Sequence, residues 1–380
     1  MKGTAKKYRM KKLCLILALL VIPLCHFIKV MPLKGAISIP EKPKFGFHNW
    51  FSGEFQEAAD QYLKASYGFR GFFVRINNQL GFNFFNKAKA NGVIIGEKNY
   101  LYEENYIKAY YGTDFIGMDS AAHRIKKLKT ISDTLAGYNK NIILIFAAGK
   151  GSFYPEFFPN KYKTQKGKTN LEAYKEIVRE MQLPYIDFNS YFVAQKNISK
   201  HTLYPQYGIH WSYYGMCLAA DSIIRYMERL RNINMPHIYW EQIDFAQPKE
   251  TDYDIADGMN LLFKLKSLEM AYPQVKIQAD TNKSKPRVLV VADSYYWGMF
   301  NIGISRTFAN REFWFYNKEA YSDRFETAKN VEELNLKEEL FNYDIIIIMA
   351  TEATLPNLGW GFIENAYDIV RHKDANLAHQ

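Results

Sequence analysis

Beyond residue 118 the chain alternates between short, nearly unbroken apolar runs and longer stretches in which apolar residues recur every three to four positions. The runs at Ile142–Ala147, Pro184–Phe188, Arg287–Ala292, Glu312–Tyr316 and Asp344–Met349 predict strands. The stretches around 120–138, 169–182, 213–231, 299–309, 331–341 and 361–372 predict helices. Ile345–Ile348 is apolar without alternation, as expected of a strand covered on both faces. Strands alternating with helices predict an α/β/α sandwich around a mainly parallel sheet. In such sheets, ligand-binding groups gather in the loops at the carboxyl ends of the strands. Upstream, aromatics at helical intervals (Trp50, Phe51, Phe55, Tyr62, Phe69, Phe72, Phe73) predict one or two amphipathic helices, and Gly92–Tyr102 reads as strand–turn–strand. The expected organisation is one domain over 45–375, with a helical and hairpin extension at 45–118 and an insertion at 235–285.

The first residues read differently. Six positive charges through Lys12 precede an apolar stretch from Leu13 to Cys25, continuing with one lysine to Met31. A basic flank before such a stretch predicts export with the positive end in the cytoplasm. No small-x-small cleavage site stands near Cys25, and Leu24 is wrong for a lipoprotein site, so residues 1–31 read as an uncleaved signal anchor with Lys29 snorkelling outward. The body is then expected outside the cytoplasmic membrane, held by a single span. Residues 1–34 carry eight Lys/Arg and no acid, so the net charge of +10 leaves only +2 on the rest. A nearly neutral body lacks the footprint of a phosphate-backbone binder, and nucleic acid is not an expected partner. Cys14 and Cys25 lie in the apolar stretch, so Cys217 has no mate in the body for a disulfide.

Candidate chemistry sits at the strand ends. Asp293 and Ser294 stand where the 287–292 strand stops, and Tyr295 onward begins a helix. A serine there can point into the cleft as a nucleophile, or the pair can simply cap the helix. His210, in Tyr207-Gly-Ile-His-Trp-Ser212, precedes another helix and could serve as general base, or could pack as a structural histidine beside Trp211. Glu352, after the 344–349 strand, and Asp187, ending Tyr185-Ile-Asp187, are candidate acids or caps. Trp211, Lys150, Asp293 and Tyr295 are candidate substrate-binding residues. Gly149-Lys-Gly-Ser152 lacks the glycine and Ser/Thr spacing of a phosphate loop. Asp252, Asp254 and Asp257 lack calcium-loop spacing and are expected to cap a helix through Leu261–Leu268. No metal or cofactor is expected.

Several segments together resemble one family: Trp50-Phe-Ser-Gly-Glu-Phe-Gln56, Val93–Tyr102, Ala147–Glu156, Tyr207–Ser212 with its His-Trp, and Ala292-Asp-Ser294. The chain, over about residues 48–370, resembles the SGNH-hydrolase-like family of periplasmic alginate O-acetyltransferases. The resemblance implies a flavodoxin-like sandwich, a Ser-His-Asp acyl-transfer site, a membrane-anchored N-terminus, an exopolysaccharide acceptor and a membrane-bound O-acyltransferase partner. Ser294 matches its nucleophile and His210 its base, while Lys150 matches a basic cleft residue. Three positions depart from the pattern. The triad acid two residues before the histidine is replaced by Gly208, the glycine before Asp-Ser is Ala292, and Glu352 stands where an oxyanion-hole donor is expected. Glu352 or Asp187 could supply the acid instead. The alternatives are an acetyl esterase on the same fold, or a polysaccharide-binding protein with impaired catalysis.

Overall fold

The computed structural model describes residues 10–16, 31–35, 38–278 and 282–377. Its centre is a seven-stranded sheet made of β1 (Asn141–Ala147), β2 (Tyr185–Asp187), β3 (Val288–Ala292), β4 (Glu312–Phe315), β5 (Glu319–Ser322), β6 (Lys329–Asn330) and β7 (Ile345–Thr351). The spatial order is β6-β5-β4-β3-β7-β1-β2. Strands β4, β3, β7, β1 and β2 run parallel, and β5 and β6 add an antiparallel edge. The sheet is therefore mixed around a parallel core. Counting from β3, the parallel strands follow the 2-1-3-4-5 order of flavodoxin-like sheets. The chain enters that order at its fourth strand, so the topology is a circular permutation.

The helices used below are α1 (Met118–Ala136), α2 (Asn170–Glu180), α3 (Phe188–Gln195), α4 (Tyr213–Arg231), α5 (Tyr296–Asn301), α6 (Leu336–Asn342) and α7 (Phe362–Leu377). Ile142, Leu144 and Phe146 of β1, with Leu289, Val291, Ile346 and Ile348, pack on one face against α1, α2 and α7. From α1 that core receives Ala121, Ile125, Leu128, Ile131 and Leu135, the i, i+3/i+4 stripe of an amphipathic helix. Truncating Leu128 to alanine there should cost about 2–5 kcal/mol. The alternate strand residues point to the opposite face. On that side Arg231, ending α4, donates to Asn139 O and to Asn141 Oδ1, both at 2.9 Å, at the amino end of β1. Ser212, which caps the other end of α4 by accepting from Gly215 N–H, therefore lies toward the carboxyl ends of the strands, with His210 just before it.

Several local expectations change. The 299–309 helix is instead α5 followed by a 3₁₀ turn at Ile304–Thr307, and 331–341 divides into a 3₁₀ turn at Val331–Glu333 and α6. No helix spans Leu261–Leu268. In the 235–285 segment, Ile243–Ala246 pairs with Met270–Pro273 and Ile238–Tyr239 with Lys276–Ile277, around a short helix at Asp254–Gly258. The expected anchor lies largely outside the described residues, among which no helix is long and apolar enough to cross a membrane.

The chain divides into two units, Met1–Val93 with Ala256–Leu265, and Ile94–Ile255 with Lys266–Gln380. The expected extension over 45–118 is thus divided at Val93. The first unit contains the helices Phe47–Ser52, Glu54–Ser66 and Arg70–Phe85. Within it, Arg75 donates to Leu261 O and Asn78 to Met259 O, both at 2.9 Å. The second unit holds the sheet and every residue of the site below.

Candidate active site

Ser294 is presented by a turn that its neighbour Asp293 holds. The Asp293 carboxylate is buried at the end of β3. Its Oδ1 accepts from Tyr295 N–H at 3.1 Å, and its Oδ2 accepts from Thr351 N–H, Thr351 Oγ1–H and Thr354 Oγ1–H at 2.8, 2.9 and 2.8 Å. Charge-assisted bonds of this kind are about twice as strong as neutral ones. They fasten the turn after β3 to the end of β7. Asp293 is therefore a brace of the nucleophile loop rather than a substrate contact, and neither residue caps α5 with its side chain.

The histidine loop is fixed from three sides. Tyr295 Oη–H donates to Ile209 O at 2.5 Å, and Trp211 packs among Phe188, Phe192 and Tyr295. Lys150, fully buried, donates from Nζ to Gly208 O at 2.6 Å and Gln206 O at 2.9 Å. Burial pushes its ammonium down to about 7 against the pull of Asp254 and Glu103. This corrects the expectation that Lys150 meets substrate in the cleft, because its donors serve the loop that carries His210.

The decisive contacts are made by His210 itself. Its Nε2 lies 2.9 Å from Ser294 Oγ, and its Nδ1 lies 2.5 Å from Asp254 Oδ2. A carboxylate accepts only, so Nδ1 carries the proton and Nε2 is free to accept from the serine hydroxyl. Asp254 is oriented in turn by Ile209 N–H at 2.9 Å and Ile255 N–H at 2.7 Å, both on Oδ1. Burial works to lower the His210 pKa, but the charge and hydrogen bond of Asp254, with the charges of Asp293 and Glu103, outweigh it and leave the imidazole raised.

Neither expected acid reaches the histidine. Asp187 Oδ1 caps α3 by accepting from Ser190 N–H, and its Oδ2 pairs with Lys175. Glu352 is buried with its oxygens committed to Ser152 N–H, Ser152 Oγ–H and Asn189 Nδ2–H at 3.1, 2.6 and 3.1 Å. Burial raises its pKa. The acid is Asp254, 44 residues beyond His210, where capping of an absent helix was expected. Gly208 explains the exchange. A Cβ there would sit 2.2 Å from Thr251 O and 2.9 Å from Asp252 C, so the segment delivering Asp254 fills the space of a side chain at 208.

A cavity of about 400 Å³ opens on the pair, lined by Ser294, His210, Trp211, Tyr295, Trp297 and Asn301 among others. Trp211 and Tyr295 thus border it as expected, though both are mostly buried. Sequence reasoning missed Tyr316, after β4, whose N–H donates to Ala292 O at 2.9 Å, two residues before Ser294; burial first, then the Asp293 charge, raises its pKa. A tyrosine at φ +50°, just past a strand neighbouring β3, carries no sequence signal of its own. Among the described residues no His/Cys/Asp/Glu group could hold a metal ion.

A hydrogen-bonded serine, histidine and aspartate at the carboxyl ends of a flavodoxin-order sheet define an SGNH-hydrolase-like α/β protein. Residues 93–285 match the family described as SGNH hydrolase-like domain, acetyltransferase AlgX, and the chain belongs to that family. His210 and Asp254 fall inside the matched stretch, whereas the place of Ser294, beyond it, rests on the geometry above. The chain is similar to the O-acetyltransferase domain of Pseudomonas putida AlgJ at 12% identity and TM-score 0.47, over 73% of this chain and 99% of that one. It is also similar to Pseudomonas aeruginosa AlgX (11%, TM-score 0.43, 72% and 67%) and to Bacillus cereus PatB1 with a sulfonyl adduct (11%, TM-score 0.46, 71% and 99%). No curated protein matches the sequence.

Proposed function

We propose that this protein moves an acetyl group onto hydroxyls of an exopolysaccharide through an acetyl-serine at Ser294. The observation that carries the reading is the unbroken chain Ser294 Oγ, His210 Nε2, His210 Nδ1, Asp254 Oδ2. His210 takes the serine proton as Oγ attacks the carbonyl carbon of an acetyl donor. The donor's leaving group departs with that proton, leaving acetyl-Ser294. A sugar hydroxyl then gives its proton to His210 and attacks the acetyl carbon, and Ser294 leaves and regains its proton. Asp254 holds the imidazolium in place at both steps. Ser294 N–H, at the turn before α5, supplies a donor for the developing oxyanion. The acetyltransferase name of the family supports acetyl as the group moved. A complete triad argues against the binding-only alternative.

In this reading the basic and apolar residues 1–31 hold the body at the outer face of the cytoplasmic membrane, and a membrane-bound O-acyltransferase supplies the acetyl group. The test uses purified protein with an acetyl ester, with and without oligosaccharide. Wild type should turn the ester over, while Ser294→Ala should lose about six orders of magnitude in kcat. Acetylated sugar as product marks the transferase, and free acetate alone marks an esterase. Equal turnover by wild type and variant overturns both.

A further inference from the structure

Tyr316, whose N–H donates to Ala292 O two residues before Ser294, also walls a second cavity, of about 840 Å³, within the roughly 300–1,000 Å³ range of small-molecule sites. Trp360, Asn317, Lys318, Glu332 and Asn365 line it too. Its walls are held in conformations that side chains avoid. Gly359, Trp360 and Gly361 have φ of +81°, +45° and +88°, three left-handed residues in succession, and Tyr316 and Asn317 opposite are both at +50°. Outside glycine this region is sparsely used, and such residues gather where a ligand is held. The Tyr316 and Trp360 rings meet at 5.1 Å and 85°, forming an aromatic corner.

Asn317 supplies the second sign. Its Nδ2 donates to Trp360 O at 3.1 Å, which fixes the amide's orientation and presses the two strained turns together. Its Oδ1 is then buried without a partner among the described residues. Buried acceptors are nearly always satisfied, so a vacant one in a cavity wall marks where a donor belongs. A sugar ring offers both halves of what the corner lacks, an apolar face for an indole and hydroxyl donors at its edge.

We propose that this cavity is a sugar subsite, in which a pyranose ring lies against Trp360 and donates a hydroxyl proton to Asn317 Oδ1. The inference rests on the proposed acceptor being a polysaccharide, and it places one residue of that acceptor next to the strand end that presents the nucleophile, where Tyr316 bonds Ala292. The opposite charges of Lys318 and Glu332 leave neutral, amino and acidic sugars as arms of the test.

The experiment titrates full-length Ser294→Ala protein with a cello-oligosaccharide, a chito-oligosaccharide and a hexuronate oligomer by calorimetry. At least one should bind. Trp360→Ala on that background should weaken it about tenfold (~1.4 kcal/mol), and Asn317→Ala about fivefold. Trp360→Phe, which keeps an aromatic face, should recover most of the affinity, and thermal unfolding of each variant reports on the fold. Binding by none of the three sugars, or binding indifferent to Trp360 and Asn317, overturns the subsite. Equal loss in Trp360→Ala and Trp360→Phe also overturns it, because stacking should survive the second change. Acetyl-ester turnover is read separately on the Ser294 protein. Turnover without sugar binding defeats the subsite alone, and sugar binding without turnover defeats the acyl-transfer reading alone.

Discussion

The exchange of Gly208 for a distant acid makes a prediction sharper than deletion of the acid itself. Gly208→Ala adds one carbon, which would lie 2.2 Å from Thr251 O, whereas real Cβ contacts essentially never fall under 3.0 Å. Either the 251–254 segment or the 207–210 loop must then retreat by about 0.8 Å, the gap between those distances. That segment and loop carry Asp254 and His210, whose contact is 2.5 Å. Displacement of a catalytic group by about 1 Å costs on the order of 10²-fold in rate. Removing the acid's function by Asp254→Asn should cost about 10⁴-fold. Gly208→Ala is therefore expected between wild type and Asp254→Asn, at about 10²-fold lower kcat, with the donor KM little changed. The assay is steady-state acetyl-ester turnover on proteins whose melting temperatures have been matched or corrected. Turnover of Gly208→Ala within threefold of wild type would refute the reasoning, since the loop would then have room that the geometry denies.

The pH profile should follow His210. Because its pKa is raised above the ordinary 6.5 or so, kcat/KM should fall as pH drops through that raised value, and Asp254→Asn should move the limb to lower pH. The sign for folding is opposite: the His210–Asp254 pair stabilises fully below about pH 6.5 and fades as pH rises through the folded pKa, measurable by urea unfolding. Glu352→Gln should leave kcat within a few-fold, because its carboxylate serves Ser152 and Asn189; a loss as deep as that of Asp254→Asn would reinstate it as the acid. Lys150→Met should lower stability by about 1–3 kcal/mol for each carbonyl left buried without a donor, and should reduce kcat by freeing the loop before His210. Unchanged kcat in a folded variant would show that the loop holds itself.

The parts legible in the sequence were those written in local pattern. Unbroken apolar runs marked β1, β3 and β7, which are buried along nearly their whole length, and the polar residues just after them marked Ser294 and Asp293. Strands β5 and β6 went unseen because Glu319–Ser322 and Lys329–Asn330 are short, polar edge strands without an apolar signature. The acid was missed for a different reason. An aspartate that caps a helix and one that orients a distant imidazole look alike along the chain, since the difference lies in what folds back beside it. Gly208 looked like a loss for the same reason. Its meaning is steric and belongs to Thr251 and Asp252, which are far away in sequence. The one usable sign was the bunching of Asp252, Asp254 and Asp257 in the insertion with no helix pattern strong enough to need three caps.

The pairing of Gly208 with Asp254 changes what counts as dispensable. An engineer cutting the chain back to strands and helices would remove the hairpin-rich excursion after α4 first, as the most decorative stretch. That cut would take away Asp254, the group that aims the imidazole, together with buried residues such as Tyr253 and Met270, while the serine and histidine themselves would stay in the sequence.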